Sequence, residues 1–226
     1  NNMAHLKRLT VPKSWSIKKK ETTFIATPMP GPHKKSECLT LNLIVKDFLH
    51  MANTTREVKK ILQQNLIHVD GTPRKNFHFP VGIMDVITIP SLNQAHIVLY
   101  SEKGKFILKK LEAHTKEKCC KIIGKHILRK KRVQINLNDG RNILVDKDSY
   151  KVGDTVIMAD SKIKRHVKLE KGALVYLTGG KHIGAVGKLV DIKKFKGMEN
   201  DRIIMETKEG AIETLKDYAF VIERVW

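Results

Sequence analysis

The sequence predicts an α+β fold in four parts: a basic N-terminal extension (1–38), a small part with two helices and short strands (39–90), a central all-β part (91–170) and a C-terminal five-stranded barrel (171–226). Three observations predict it. Apolar residues recur at helical spacing only between about residues 41 and 62. From about residue 95 onward, strand-like runs follow one another between glycine-containing turns. The 226 residues carry 43 Lys+Arg against 23 Asp+Glu, a formal net charge of +20. With 41% hydrophobic residues the chain can build packed cores. Its excess of positive charge points to a polyanionic partner. Charge alone leaves nucleic acid, an anionic membrane and an acidic protein open.

Other classes recede. No apolar run approaches the ~20 residues that span a bilayer, and the start, NNMAHLKRL, has no signal-peptide core, so no membrane partner is expected. The three cysteines, Cys38, Cys119 and Cys120, make a poor disulfide framework and lack the CxxC spacing of a zinc site; reduced cytosolic thiols are expected. The ten histidines form no HxxxH or HExxH pair. No metal, cofactor or small-molecule substrate is expected.

Residues 1–35 hold eight cations, Lys7, Arg8, Lys13, Lys18, Lys19, Lys20, Lys34 and Lys35, against one acid, Glu21. Pro12, Pro28, Pro30 and Pro32 punctuate the segment, and no apolar periodicity runs through it. It is therefore expected to form no core and to order only against nucleic acid, with a plain flexible tail as the alternative. Trp15 reads as a stacking side chain among lysines. The run MPGPHKK stiffens the approach to His33, Lys34 and Lys35. Deleting residues 1–35 should then leave folding intact.

Leu41, Ile44, Val45, Phe48, Leu49 and Ala52 form one apolar stripe of an amphipathic helix, broken at Asn53 and Thr54. Thr54 and Glu57 make a capping box that opens a second helix, apolar at Val58, Ile61 and Leu62. Its other face carries Arg56, Lys59, Lys60 and Gln63, with no acid at i+4 to tie up the cations. Ile67 and Val69 lie in a short strand, Asp70-Gly71 is a tight turn, and Val86, Thr88 and Ile89 lie in a second strand. Arg74 and Lys75 sit just past the turn, beside Phe77, His78 and Phe79.

In the central part, HIVLY and KFILKKL flank a turn at Glu102-Lys103-Gly104. Val133, Ile135 and Leu137 alternate with Gln134, Asn136 and Asn138 before Asp139-Gly140, a strong hairpin signal. From Lys116 to Arg132 eight cations face one acid, Glu117; Lys130, Lys131, Arg132 and, past the turn, Arg141 are candidate RNA contacts. Strands follow at VGDTVIM and KIKRHVKLEKG. Asp85, Asp139 and Asp154 read as turn formers rather than catalytic acids. The last third holds five strand-like runs, LVYLTGG, GKLVDIKKF, DRIIMETKEG, AIETLKD and FVIERVW, at spacings that fit an SH3-like barrel.

The stretch LTGGKHIGAVGKLVDI suggests a phosphate-binding loop, but Ala185 and Val186 stand where GxxxxGK[ST] needs Lys and Ser or Thr. It also leads into strand-like residues rather than a helix, which excludes the P-loop and the dinucleotide fingerprint. A glycine turn displaying Lys181, His182 and Lys188 fits better. The stretch resembles a KOW motif: an apolar strand, Gly180, a central Gly184, then Gly187 and a second strand. Residues 39–90 look like the alpha-L RNA-binding fold, whose second helix and following turn face RNA. HLKRLTVPKSW, PGPHKK, DGTPRKNFHFPVGIMDVI, LNDGRNILV and the KOW-like stretch occur in this order. Together they resemble the archaeal and eukaryotic small-subunit ribosomal protein four, e-type family. The resemblance covers nearly the whole chain. It implies a structural constituent of the ribosome in the cytoplasm, partnered by small-subunit rRNA and neighbouring ribosomal proteins and bound early in assembly. Ending at Trp226, the chain looks closer to the archaeal form; NNM before Ala4 departs from the family's glycine- and lysine-rich start. Gly71, Gly140, Gly180, Gly184 and Gly187 are expected to shape turns.

Two other functions share parts of this pattern. An RNA-modifying enzyme such as a pseudouridine synthase can carry an alpha-L domain, but needs an aspartate in a G-R-L-D-like motif. Gly140-Arg141-Asn142 offers asparagine there, and the β part is too short for that catalytic domain. A KOW-type transcription or translation factor would share the barrel but bind a polymerase or a transient complex. Neither displaces the structural reading, and no enzymatic activity is expected.

Overall fold

Thr40 opens the first helix. Its hydroxyl accepts from the Leu43 amide at 3.4 Å, and the turn Leu41–Leu43 widens into a π-helical stretch, Ile44–Phe48, closed by Leu49 N–H donating to Ile44 O at 2.8 Å. Leu41, Ile44 and Val45 are buried as the stripe required; the helix ends before Ala52, at His50, whose φ is 52°. The second helix, Thr55–Gln63, carries the expected capping box. Thr54 Oγ1 accepts from Glu57 N (3.3 Å), and the Glu57 carboxylate accepts from Thr54 N (3.4 Å) and Asn53 N (2.9 Å). Val58 and Leu62 are buried, and Arg56, Lys59, Lys60 and Gln63 face solvent.

The computed structural model describes residues 5–111, 117–129, 132–146, 148–159, 162–195, 199–207 and 210–223. They are mostly β, with few helices, and fall into two units: Asn1–Leu99 with Lys105–Lys118, and Tyr100–Gly104 with Cys119–Trp226.

In the first unit a five-stranded antiparallel sheet runs in the order Thr72–Pro73, His68–Val69, Val86–Ile89, Gln94–Tyr100, Phe106–Leu111. Asp70 and Gly71, both at positive φ (52° and 75°), make the two-residue turn between paired Val69 and Thr72. The sheet does not stop at residue 90. The hairpin expected in the central part instead extends the first sheet, because Val86–Ile89 pairs residue for residue with Gln94–Ile97.

The extension is packed, which corrects the expectation that it forms no core. Leu6–Lys7 pairs with Phe24–Ile25, Ser14 O accepts from Phe106 N at 2.8 Å, and Leu6, Val11 and Trp15 are buried. Basic composition hid three apolar side chains that converge only in three dimensions. Deleting residues 1–35 should therefore lower the melting temperature rather than leave it unchanged. Trp15→Ala should cost about 3–5 kcal/mol, the usual range for a core Trp, read from a thermal or urea melt. A melt identical to wild type would show the extension to be loosely attached.

The second unit holds two five-stranded antiparallel sheets. One runs Asn142–Val145, Val133–Leu137, Lys118–Ile127, Thr155–Ala159, Lys162–Val167 around Cys120, Ile122, Val133, Ile135, Leu137, Val156 and Met158. Its Asp139-Gly140 hairpin has a three-residue loop, since Leu137 N donates to Arg141 O at 2.9 Å. The other runs Gly210–Leu215, Arg202–Thr207, Val186–Lys193, Leu174–Leu177, Ala219–Val221, five strands as the spacing required, over Val175, Leu177, Leu189, Ile203, Met205 and Ala219.

Candidate nucleic-acid interface

The exposed face of the second helix is the centre of the candidate interface. Arg56, Lys59 and Lys60 are exposed, and none has a carboxylate partner among the described residues. Lys59 Nζ lies 4.7 Å from the Phe77 ring centroid, which joins this face to the segment after the Asp70-Gly71 turn. There the Arg74 guanidinium stacks 4.5 Å from the Phe79 ring centroid, Phe77 and His78 rings lie 4.0 Å apart, and Lys75 is exposed. The Arg74 Nε is buried with no hydrogen-bond partner among the described residues. Fixed cations beside half-buried aromatic rings suit phosphate contact and stacking on an unpaired base.

The extension divides. Lys7, Lys13, Lys18, Lys19, Lys20, Lys34 and Lys35 are exposed. Arg8, Trp15 and His33, expected to meet RNA, point inward instead. Arg8 is 3% exposed and donates to Glu21 (3.0 Å), Thr22 Oγ1 (3.2 Å) and Lys18 O. Trp15 is 2% exposed. His33 Nε2 lies 2.9 Å from Asp85 Oδ2. A buried cation must find an anion or pay a desolvation penalty; Glu21 supplies it for Arg8, and Asp85 gives His33 a hydrogen-bond partner.

The basic run near residue 120 is also partly used internally. Lys118 turns inward to Asp70 (2.6 Å) and Asp85 (2.5 Å). Lys121 donates to Asp217 O at 2.6 Å, and burial pushes its ammonium down to about 8. Lys125 pairs with Asp148. Arg141 is held by buried Asp139, its Nε 2.6 Å from Oδ2, so it locks the hairpin loop rather than standing free. Arg132 is exposed, and Lys130 and Lys131 lie outside the described residues.

In the last sheet, Lys181 and Lys188 are exposed and His182 is half-buried. The glycine-rich stretch runs into the strand Val186–Lys193 and not into a helix. Gly71, Gly140, Gly180 and Gly184 occupy turns, but Gly187 lies inside that strand, which corrects its expected role. A Cβ on it would stand 2.3 Å from Glu206 O of the neighbouring strand, so the position needs glycine for closeness, not for turning.

The three aspartates read as turn formers do more than turn the chain. Burial alone would push the Asp85 carboxyl up, yet the Lys118 ammonium and His33 hold it well below the usual carboxylate range. Burial and the Asp85 charge push Asp70 up against the pull of Lys118. Asp154, also buried, accepts from His166 Nε2 (2.7 Å), Leu169 N (3.0 Å) and Lys151 N (3.1 Å). Lys118 had no local sequence signal, since its partners lie 33 and 48 residues away in the chain. Among the described residues, no group of three or more His, Cys, Asp or Glu could hold a metal ion.

Comparison with known proteins places the chain. A family model described as Ribosomal family S4e matches residues 92–163, and one described as the RS4NT (NUC023) domain matches residues 3–36. The chain is 42% identical over 229 residues to the small ribosomal subunit protein eS4 of Methanococcus vannielii, covering 96% of this chain and 93% of that protein. It is 43% identical over 221 residues to the eS4 of Methanosphaera stadtmanae, covering 96% and 91%. The crystal structure of the 30S ribosomal protein S4e from Thermoplasma acidophilum superimposes with a TM-score of 0.71 at 32% identity, covering 82% of this chain and 95% of that one.

Proposed function

Because the chain belongs to the ribosomal S4e family, we propose that it serves as a structural, non-enzymatic constituent of the small ribosomal subunit and holds rRNA through several basic patches. The observation that carries the binding mode is the helix face Arg56, Lys59 and Lys60, joined through Phe77 to Arg74 and Lys75. Lysine and arginine there neutralise phosphates, and the aromatic rings beside them offer stacking surface. RNA helices are recognised by backbone, shape and 2′-OH, so distributed charge suffices without a base code. Residues 39–90 act as an alpha-L module, and residues 171–226 as a KOW module that presents Lys181 and Lys188 on its turn and following strand. The exposed lysines of the extension, together with Arg132, add further phosphate contacts. Neighbouring ribosomal proteins complete the surroundings.

Sucrose-gradient sedimentation of cell extract under rising salt tests this reading. The protein should stay with the small subunit at salt concentrations that strip loosely bound factors. Release at low salt, or migration with a polymerase, would favour a KOW-type transcription or translation factor instead.

A further inference from the structure

We propose that Asp85 is a positioning residue for RNA binding: through His33 it holds the basic tip of the extension in its binding geometry before RNA arrives. The inference deepens, and rests on, the rRNA-binding role above. Asp85 is 1% exposed and lies beneath the extension. Its Oδ2 accepts from Gly82 N at 2.8 Å and faces His33 Nε2 at 2.9 Å, while Lys118 Nζ sits 2.5 Å from Oδ1 in an ion contact poorly aligned for a hydrogen bond. Lys118 also reaches Asp70 at 2.6 Å. One buried ammonium thus ties the base of the extension tip to the turn that leads into Arg74 and Lys75.

The packing around this anchor leaves little freedom. The His33 ring lies so close over Gly82 that a Cβ there would stand 2.3 Å from Nδ1. Gly31 is also pressed, less tightly, on the other end of the same strand, Pro80–Gly82, where a Cβ would meet Pro80 Cγ at 2.7 Å. Upstream, Met29 N donates to His78 O at 3.0 Å and His78 Nδ1 lies 2.7 Å from Thr27 O. Lys34 and Lys35 follow His33 directly, and both are exposed. Two flexible cations are therefore displayed from a seat fixed one residue upstream. A preformed backbone spares RNA binding the entropy of ordering that segment.

The test uses the full chain, a small-subunit rRNA transcript and fixed salt. His33→Ala and Gly82→Ala should each weaken binding about fivefold to tenfold, the size of one lost net hydrogen bond. Both should speed hydrogen exchange at the Met29 amide and at the Glu37 amide, which donates to Lys34 O at 2.9 Å. Gly82→Ala is the cleaner variant, because it unseats the His33 ring and leaves every charge in place. In a Lys34→Ala/Lys35→Ala background neither substitution should cost further affinity, since a residue acting through those lysines is not additive with them. An equal loss in both backgrounds, or no loss while wild type binds, would overturn the role of Asp85. Failure of wild type to bind the transcript would instead overturn the rRNA-binding role, and this inference with it. Asp85→Asn is the direct variant; should it fail to fold, the His33 and Gly82 variants still decide.

Discussion

Reversing Arg56, Lys59 and Lys60 to glutamate should weaken binding to small-subunit rRNA about a hundredfold at low salt. A phosphate contact is worth on the order of 1 kcal/mol, so three amount to roughly 3 kcal/mol, and the new negative charges add repulsion. The log–log salt slope should shrink by about 2, at roughly 0.7 per phosphate lost from a single-stranded site. Folding should survive. All three residues face solvent, and glutamate is a good helix former. The Thr54–Glu57 capping box is untouched. A small cost comes from losing Lys59 over Phe77 and from placing an acid in the last turn, each a few tenths to about 1 kcal/mol. Filter binding across a salt series, alongside a thermal melt, reads both outcomes. Unchanged affinity would remove the helix from the interface. Arg8→Glu gives the contrast: Arg8 is buried against Glu21, so reversal should unfold the extension rather than selectively weaken binding.

That contrast shows where the sequence was legible. The second helix was readable because its evidence is local: a capping box four residues long and a polar face at helical spacing. The Asp70-Gly71 and Asp139-Gly140 hairpins were readable for the same reason. Exposure of single cations was not. Arg8 and Lys19 look alike in the sequence, yet one meets Glu21 from within a packed segment and the other faces water. His33 finds Asp85 across 52 residues, a pairing no periodicity can report. Leu6, Val11 and Trp15 did leave a faint signal, three apolar residues at wide spacing, outweighed by the lysines between them. The sheet that crosses residue 90 was missed because the bound at 90 came from the alpha-L resemblance, while the short turn at Pro90–Leu92 lets the next strand fold straight back onto Val86–Ile89.

Gly184→Ala should be the most destabilising of the glycine substitutions, by about 2–5 kcal/mol. Two costs coincide there. The residue has φ of 85°, which strains any L side chain by about 1–2 kcal/mol. A Cβ would also stand 2.5 Å from Ser101 O, 2.6 Å from Ser101 C and 2.9 Å from Glu102 N, all backbone, and overpacking of that kind costs about 1–3 kcal/mol. Two other glycines separate the terms. Gly71 has φ of 75° with nothing within 4 Å of its Cβ position, so Gly71→Ala should show the strain alone. Gly187 lies in a strand but would press on Glu206 O, so Gly187→Ala should show the crowding alone. Urea melts of the three variants should then rank Gly184→Ala last in stability, near the sum of the other two. The same substitution should reduce rRNA binding, because Lys181 and His182 ride on the turn that Gly184 closes with its N–H to Leu177 O at 2.8 Å. If Gly184→Ala were no worse than Gly71→Ala, the turn would not be seated on Ser101, and the lysine it carries would have no fixed direction in which to meet a phosphate.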